Sequence, residues 1–339
     1  MLSPRESVDV LAFPYTEHDT PESRARIGHD LETIIEHARD GDPAMVALVL
    51  TGGFSRGEGT LRDGAPVNDY DLIAVRSRPG GPAAYARLGH ALTERIGLEV
   101  DIMPIWRARL PHVAPKLFWL DVLLGARVLW GDTSVLQRLP HFTARDVPPR
   151  EAARLLGNRA AGLLLALPGP NQPIDVRLAD LQATKAALAA MDATLLAEGN
   201  YAARLRERLA ISSSHPDHAI FARAVQWKTG GSHPPLGAAW WHAAAGALLR
   251  AVDQTNARMA PDSLPERGYH AWRAMRLRAH PSRRVREASW TLLGSSRFPE
   301  GPSVQDAKRA LAPLGFVEDC ADWPQLKARY FALRARTLQ

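Results

Sequence analysis

Apolar positions recur along this chain in two rhythms, and the change between them divides it. In the first part, short apolar runs alternate with helical stretches. Met45 to Leu50 is a continuous run closed by Gly52-Gly53, the pattern of a buried strand ending in a turn. Asp69 to Val75 alternates with period two, so Asp69 and Asp71 point to one face and Tyr70 and Leu72 to the other. Leu98 to Ile105 predicts a third strand and Ala126 to Trp130 a short fourth. Between them, Pro21 to Arg39 repeats at helical spacing through Ile27, Leu31, Ile34 and Ile35, with Thr20 as its cap. Ala83 to Ile96 does the same and stops at Gly97, and Phe118 to Leu124 reads as a further helix. These elements predict an α/β (α+β) domain over residues 1–139, built on a small mixed sheet covered on one face.

Pro140, Pro148 and Pro149 interrupt any regular element, and beyond them strand patterns almost vanish. Helical spacing governs Arg150 to Leu167, Val176 to Leu196, Tyr201 to Leu209, Asp217 to Lys228 and Leu236 to Asn256. It continues through Pro265 to Arg278, Pro281 to Leu293, Ser303 to Leu311 and Trp323 to Leu338. An all-α helical bundle over 150–339 is the expectation.

The chemistry concentrates between Met45 and Val75. Two carboxylates side by side on one strand face repel each other, and a hard divalent cation such as Mg²⁺ resolves that repulsion. Gly52 and Gly53, lacking Cβ atoms, let backbone N–H groups approach an anion. A phosphate cradle beside a carboxylate pair is what phosphoryl or nucleotidyl transfer requires. Arg56 offers a planar fork for a triphosphate, though an exposed helix position fits it as well. Asn68 suits the turn before the strand, and Glu58 suits a structural use. The loop is not a P-loop, because Gly57-Glu58-Gly59-Thr60 lacks the lysine.

Three pieces stand in order, each on a predicted strand: Leu48-Val49-Leu50-Thr51-Gly52-Gly53, Asp69-Tyr70-Asp71, and Leu98-Glu99-Val100-Asp101-Ile102. Together they resemble the nucleotidyltransferase superfamily, which includes DNA polymerase beta, antibiotic nucleotidyltransferases and cyclic-oligonucleotide synthases. The resemblance runs to about Trp130 and implies a nucleotidyltransferase fold followed by an acceptor-side helical appendage. It implies two Mg²⁺ ions, with Mn²⁺ as a substitute, held by Asp69, Asp71 and Asp101. Asp101 then joins the pair at the catalytic ion and is the first candidate for accepting the acceptor's proton. Ser55 would meet a β- or γ-phosphate oxygen, as the loop residue of similar proteins does. From the bundle, Lys185 is a candidate triphosphate contact, though a solvated lysine fits it better, and Asp180, Asp192 and Glu198 are candidate general bases that read first as helix-surface charges.

Composition narrows this only slightly. The 339 residues, 46% of them apolar and 23% charged, suffice for two cored domains. One cysteine, Cys320, excludes an internal disulfide framework, and the histidines show no zinc-site spacing. The start lacks a basic stretch followed by an apolar core, and no apolar run approaches a membrane span, so a cytoplasmic protein is expected. A net charge of +6 suits an anionic ligand such as ATP or another nucleoside triphosphate, or RNA. The basic run Arg273, Arg276, Arg278, Arg283, Arg284 and Arg286 reads as a solvated face or an RNA contact. The loop Gln226 to His233, with Trp227 and the nearby Trp240-Trp241, suits either helix packing or stacking of a base or sugar.

The expected reaction moves a nucleoside monophosphate from a triphosphate to a hydroxyl of a small molecule, releasing pyrophosphate. Transfer to RNA or to a protein side chain, and a non-catalytic nucleotide-binding regulatory module, are the alternatives.

Overall fold

The computed structural model describes residues 13–168, 173, 175–230, 237–259, 281–296, 300–314, 320 and 322–338, without the side chains of 281–283 and 338. The described residues form two compact units. The first is drawn from 1–147, 202–208 and 226–233, and the second from 148–201, 209–225 and 234–339.

In the first unit, helix α1 (Pro21–Gly41) begins where the sequence asks it to. The Thr20 side chain accepts the Ser23 N–H, and the Ser23 hydroxyl answers the Thr20 N–H. Strand β1 (Met45–Leu50) runs into the one-turn helix α2 (Gly52–Ser55). A two-strand ribbon, β2 (Leu61–Arg62) and β3 (Ala65–Pro66), turns at Asp63 and Gly64, both with positive φ. Then come β4 (Tyr70–Arg76), α3 (Pro82–Ile96), β5 (Val100–Trp106), α4 (Leu117–Gly125) and β6 (Arg127–Gly131). Gly97 adopts φ +80 and returns its N–H to Thr93 O, which ends α3 as its sequence predicts.

The sheet order is β5-β4-β1-β6. β4 pairs antiparallel to β1 and parallel to β5, while β6 pairs antiparallel to β1. The sheet is therefore small and mixed. Pro104 is tolerated inside β5 because that strand lies at the sheet's edge, where its missing donor faces no partner.

One expectation fails here: the sheet is covered on both faces, not one. Leu48, Leu50, Leu72 and Ala74 meet Ile27, Leu31, Ile34 and Leu92 of α1 and α3 on one side. Ala47, Val49, Ile73 and Val75 meet Trp119 and Val122 of α4 with Leu110, Val135 and Leu139 on the other. The second cover escaped notice because Leu110, Val135 and Leu139 lie in or beside short 3₁₀ segments, Arg107–His112 and Thr133–Arg138. Segments this short carry no readable apolar period.

The second unit is helical. Asp175 caps α6 (Val176–Glu198), which packs with α5 (Pro149–Leu165) and α9 (Gly237–Met259). Alanines 183, 186, 187, 190, 244 and 251 let those axes approach closely. Trp240 and Trp241 are buried here, their indole N–H groups donating to Thr184 Oγ1 and Leu163 O, so both are core residues. Asp180 is also buried and accepts the Gly237 N–H, and is not the surface charge its sequence suggested. Among its described residues are also helices α10 (Pro281–Ser295), α11 (Val304–Leu311) and α12 (Trp323–Leu338), with Ser303 capping α11. The stretch Pro265 to Arg278, with Arg273, Arg276 and Arg278, lies outside the described residues. The stem of Arg286 crosses Gly157 of α5, where a Cβ would stand 2.8 Å from Arg286 Cγ, so that side chain is a packing element.

Helix α7 (Leu205–Ile211) begins at Leu205 rather than at Tyr201. The carbonyls of Ala202 and Ala203 instead accept hydrogen bonds from the Arg208 guanidinium, at 2.7 and 2.9 Å. Helix α8 spans His218–Thr229.

Candidate active site

The parallel register of β4 and β5 sets Asp71 opposite Asp101. Register partners on neighbouring strands project to the same face, with the strands about 4.8 Å apart. Asp69 immediately precedes β4 and is half-buried, as is Asp71, whereas Asp101 is exposed. The end of β1 is stitched to the same edge, because the Thr51 N–H donates to Asp71 O at 2.8 Å. That bond delivers Gly52 directly beneath the Asp71 side chain. Gly52 has φ +71, and a Cβ on it would stand 2.2 Å from Asp71 Oδ2. Both facts require glycine.

The acids disturb one another. Burial first, and then the charges of Asp69 and Asp101, push the Asp71 carboxyl up to about 6, while Arg56 and Lys228 pull it down. An acid held this way carries charge that its surroundings do not neutralise.

The rest of the turn is fixed from below. The Ser55 hydroxyl is buried and donates to Gly52 O at 2.9 Å, and Ser55 O accepts from Arg127 Nε at 2.8 Å. Gly53 O accepts the Glu58 N–H at 2.8 Å, and a Cβ on Gly53 would meet Glu58 O at 3.2 Å. Arg56 is half-buried, its Nε donating to Glu58 Oε2 at 3.2 Å, and its Nη1 stands 4.0 Å from Asp121 Oδ1. Its stem crosses Gly125 of α4, where a Cβ would fall 2.6 Å from Arg56 Cγ. Asn68 Oδ1 accepts the Thr60 N–H at 2.6 Å, which organises the approach to β4.

Sequence reasoning passed over Lys228 as a residue in its own right. It lies near the end of α8, in the part of that helix belonging to the first unit, and its charge acts on Asp71. Arg62 fastens that part: its guanidinium donates to Gly230 O at 2.8 Å and Trp227 O at 3.1 Å and lies 4.3 Å over the Trp227 ring. The only signal in the sequence was the glycine loop following Trp227. Asp121 and Arg208, which pair at 3.3 Å, gave no signal at all. Lys185 lies on α6 of the second unit.

Among the described residues, no three His, Cys, Asp or Glu side chains converge closely enough to hold a metal ion by themselves. Mg²⁺ does not ask for that. It takes one or two carboxylates, keeps several waters, and completes its shell with substrate phosphates. Two register-paired carboxylates, an unneutralised charge on Asp71 and a glycine cradle beside it fit such an ion arriving with a triphosphate.

No family model matches the chain, and no curated protein matches it in sequence. Solved structures similar to it include nucleotidyltransferases. The spectinomycin adenyltransferase AAD(9) from Enterococcus faecialis, with ATP and spectinomycin, is 12% identical at a TM-score of 0.42, over 68% of this chain and 98% of that one. A tri-AMPylated HEPN toxin in complex with MNT antitoxin, from Shewanella oneidensis, is 19% identical at a TM-score of 0.23, over 31% of this chain and 71% of that one. A toxin-antitoxin structure with AMP-PNP is 21% identical at a TM-score of 0.25, over 31% and 77%. At such scores these likenesses carry no weight of their own, and the sheet edge with its glycine turn must carry the functional reading.

Proposed function

We propose that this chain is a metal-dependent nucleotidyltransferase that moves a nucleoside monophosphate from a nucleoside triphosphate to a hydroxyl of a small-molecule acceptor, with pyrophosphate released. The observation that carries this reading is the pairing of Asp71 with Asp101, with Gly52 pressed against Asp71. When bound, Mg²⁺ or Mn²⁺ supplies Lewis acidity toward the triphosphate and the attacking hydroxyl. Asp69, Asp71 and Asp101 are the residues that would hold such ions, together with waters and the oxygens of the triphosphate. The Gly52-Gly53 turn lets backbone approach the phosphates without a Cβ in the way. Asp101, the exposed acid, takes the acceptor's proton as the bond from acceptor oxygen to α-phosphorus forms and the bond to the leaving pyrophosphate breaks.

The test is incubation with each α-labelled triphosphate and Mg²⁺ against small hydroxylated metabolites, tRNA and protein fractions. Label on a small molecule is the expected result. Label on RNA or protein instead would replace the acceptor, and tight triphosphate binding without pyrophosphate release would favour a regulatory module.

A further inference from the structure

The residue between the first two acids belongs to a network that the proposed reaction does not use. Tyr70 begins β4, and the alternation of the strand sends its side chain away from Asp69 and Asp71, into the core under α1 and α3. Its hydroxyl donates to Asp30 Oδ2 at 3.0 Å, and both residues are buried. Arg26, one turn earlier on α1, donates from Nε to both Asp30 oxygens at 3.1 Å and from Nη2 to Ile96 O at 2.9 Å. Ile96 is the last residue of α3, and the chain passes from there through Gly97 into β5 and Asp101.

The ring of Tyr70 also meets the glycine turn. Phe54, which follows Gly53 in α2, stacks on it with ring centroids 4.8 Å apart and planes 23° from parallel. Phe54 is itself buried, and a Cβ on Gly59 would stand 2.3 Å from its ring, so Gly59 closes against it. One tyrosine therefore joins three pieces of the site: the strand bearing Asp69 and Asp71, the turn bearing Gly52 and Gly53, and, through Asp30 and Arg26, the entry to the strand bearing Asp101.

Packing alone does not ask for this. A phenylalanine at position 70 over an apolar residue at position 30 would fill the space without burying a carboxyl group, and exchanges of that kind are often neutral or stabilising. A hydroxyl anchored on Asp30 adds a fixed seat for the ring, because a stacked pair of rings by itself accepts a range of offsets. Consecutive Cα atoms stand only about 3.8 Å apart, so a displaced Tyr70 carries Asp69 and Asp71 with it.

We infer that Tyr70 and Asp30 are positioning residues, which hold the glycine turn and the acids of β4 in mutual alignment for a divalent cation and a triphosphate. This rests on the transferase reading of the acids and extends it to residues that touch neither phosphate nor metal.

The test compares two variants of the full chain that each lose one tyrosine-to-aspartate hydrogen bond. Tyr70→Phe loses the bond to Asp30. Tyr85→Phe loses the bond from Tyr85 Oη to Asp42 Oδ2, also 3.0 Å, whose aspartate is likewise paired with an arginine, Arg76, but at the far end of β4. Mn²⁺ binding is followed by electron paramagnetic resonance, with and without a non-hydrolysable ATP analogue. Tyr70→Phe should weaken Mn²⁺ binding about tenfold and Tyr85→Phe should leave it unchanged, although both move the urea midpoint by a similar amount. Amide exchange gives a second readout. The Thr51 N–H, bonded to Asp71 O, and the Glu58 N–H, bonded to Gly53 O, should exchange about tenfold faster in Tyr70→Phe alone. Phe54→Leu, which removes the stack and stays apolar, should reproduce both effects. Equal Mn²⁺ affinity in folded Tyr70→Phe and the unsubstituted protein, or the same loss in Tyr85→Phe, would overturn the inference while leaving the transferase reading standing. Absence of Mn²⁺ binding in the unsubstituted protein, with and without the analogue, would overturn both.

Discussion

Gly52 lies so close beneath Asp71 that a Cβ on the glycine would stand 2.2 Å from the aspartate Oδ2. Gly52→Ala therefore carries two penalties, a left-handed backbone costing about 1–2 kcal/mol and a collision that must push the carboxylate aside. Triphosphate-dependent turnover should fall roughly 100-fold, since an ångström of misplacement has that effect. Urea unfolding should show a loss near the backbone cost alone. Full turnover in this variant would mean that the turn does not border the reacting atoms.

Asp71→Asn and Asp101→Asn should each lower transfer by about 10²–10³-fold or more while the fold survives. For Asp71 the fold should gain, because a repelled, half-buried charge disappears. Its melting temperature at pH 8, metal-free, is expected to equal or exceed that of the parent. A large drop in melting temperature would make Asp71 a structural residue.

The elevated Asp71 carboxyl also sets a pH dependence. Pushed up to about 6 in the fold, it lies above the ordinary aspartate value of 3.8, so its contribution favours folding below the lower value and is lost as pH rises through 6. The loss amounts to at most about 3 kcal/mol. Mg²⁺ offsets the repulsion only where the acids are ionised, so its stabilisation of the metal-free protein should be small at pH 5 and large at pH 8. Thermal shifts in both buffers, with and without Mg²⁺, check this, and an equal shift at both pH values would contradict it.

Glu58 is buried and holds both the Leu205 N–H and Arg56 Nε. Glu58→Ala should cost about 3–5 kcal/mol by removing a buried carboxylate from both Arg56 and the Leu205 N–H. Equilibrium denaturation measures it, and a cost under 1 kcal/mol would show that Glu58 is not a structural tie.

Much of the sheet edge was legible because its signals are local. A strand that ends in two glycines and an alternating strand bearing two acids are periodic patterns. The parallel register then brings Asp101 to Asp71, as the third motif led one to expect. What stayed hidden depends on contacts far apart in the chain. Lys228, Asp121 and Arg208 reach the site or its frame only through tertiary packing, and none sits in a pattern that periodicity detects. The second face of the sheet was missed for a related reason, since part of its cover comes from 3₁₀ segments too short to show a period. Asp180 looked like a surface charge because the Gly237 N–H that accounts for its burial lies 57 residues away.

Calorimetric titration of a non-hydrolysable nucleoside triphosphate into the purified chain, with and without Mg²⁺, tests the central claim most directly. The account predicts binding that requires Mg²⁺ and weakens at least tenfold in Asp71→Asn. Binding indifferent to both the ion and the substitution would contradict it.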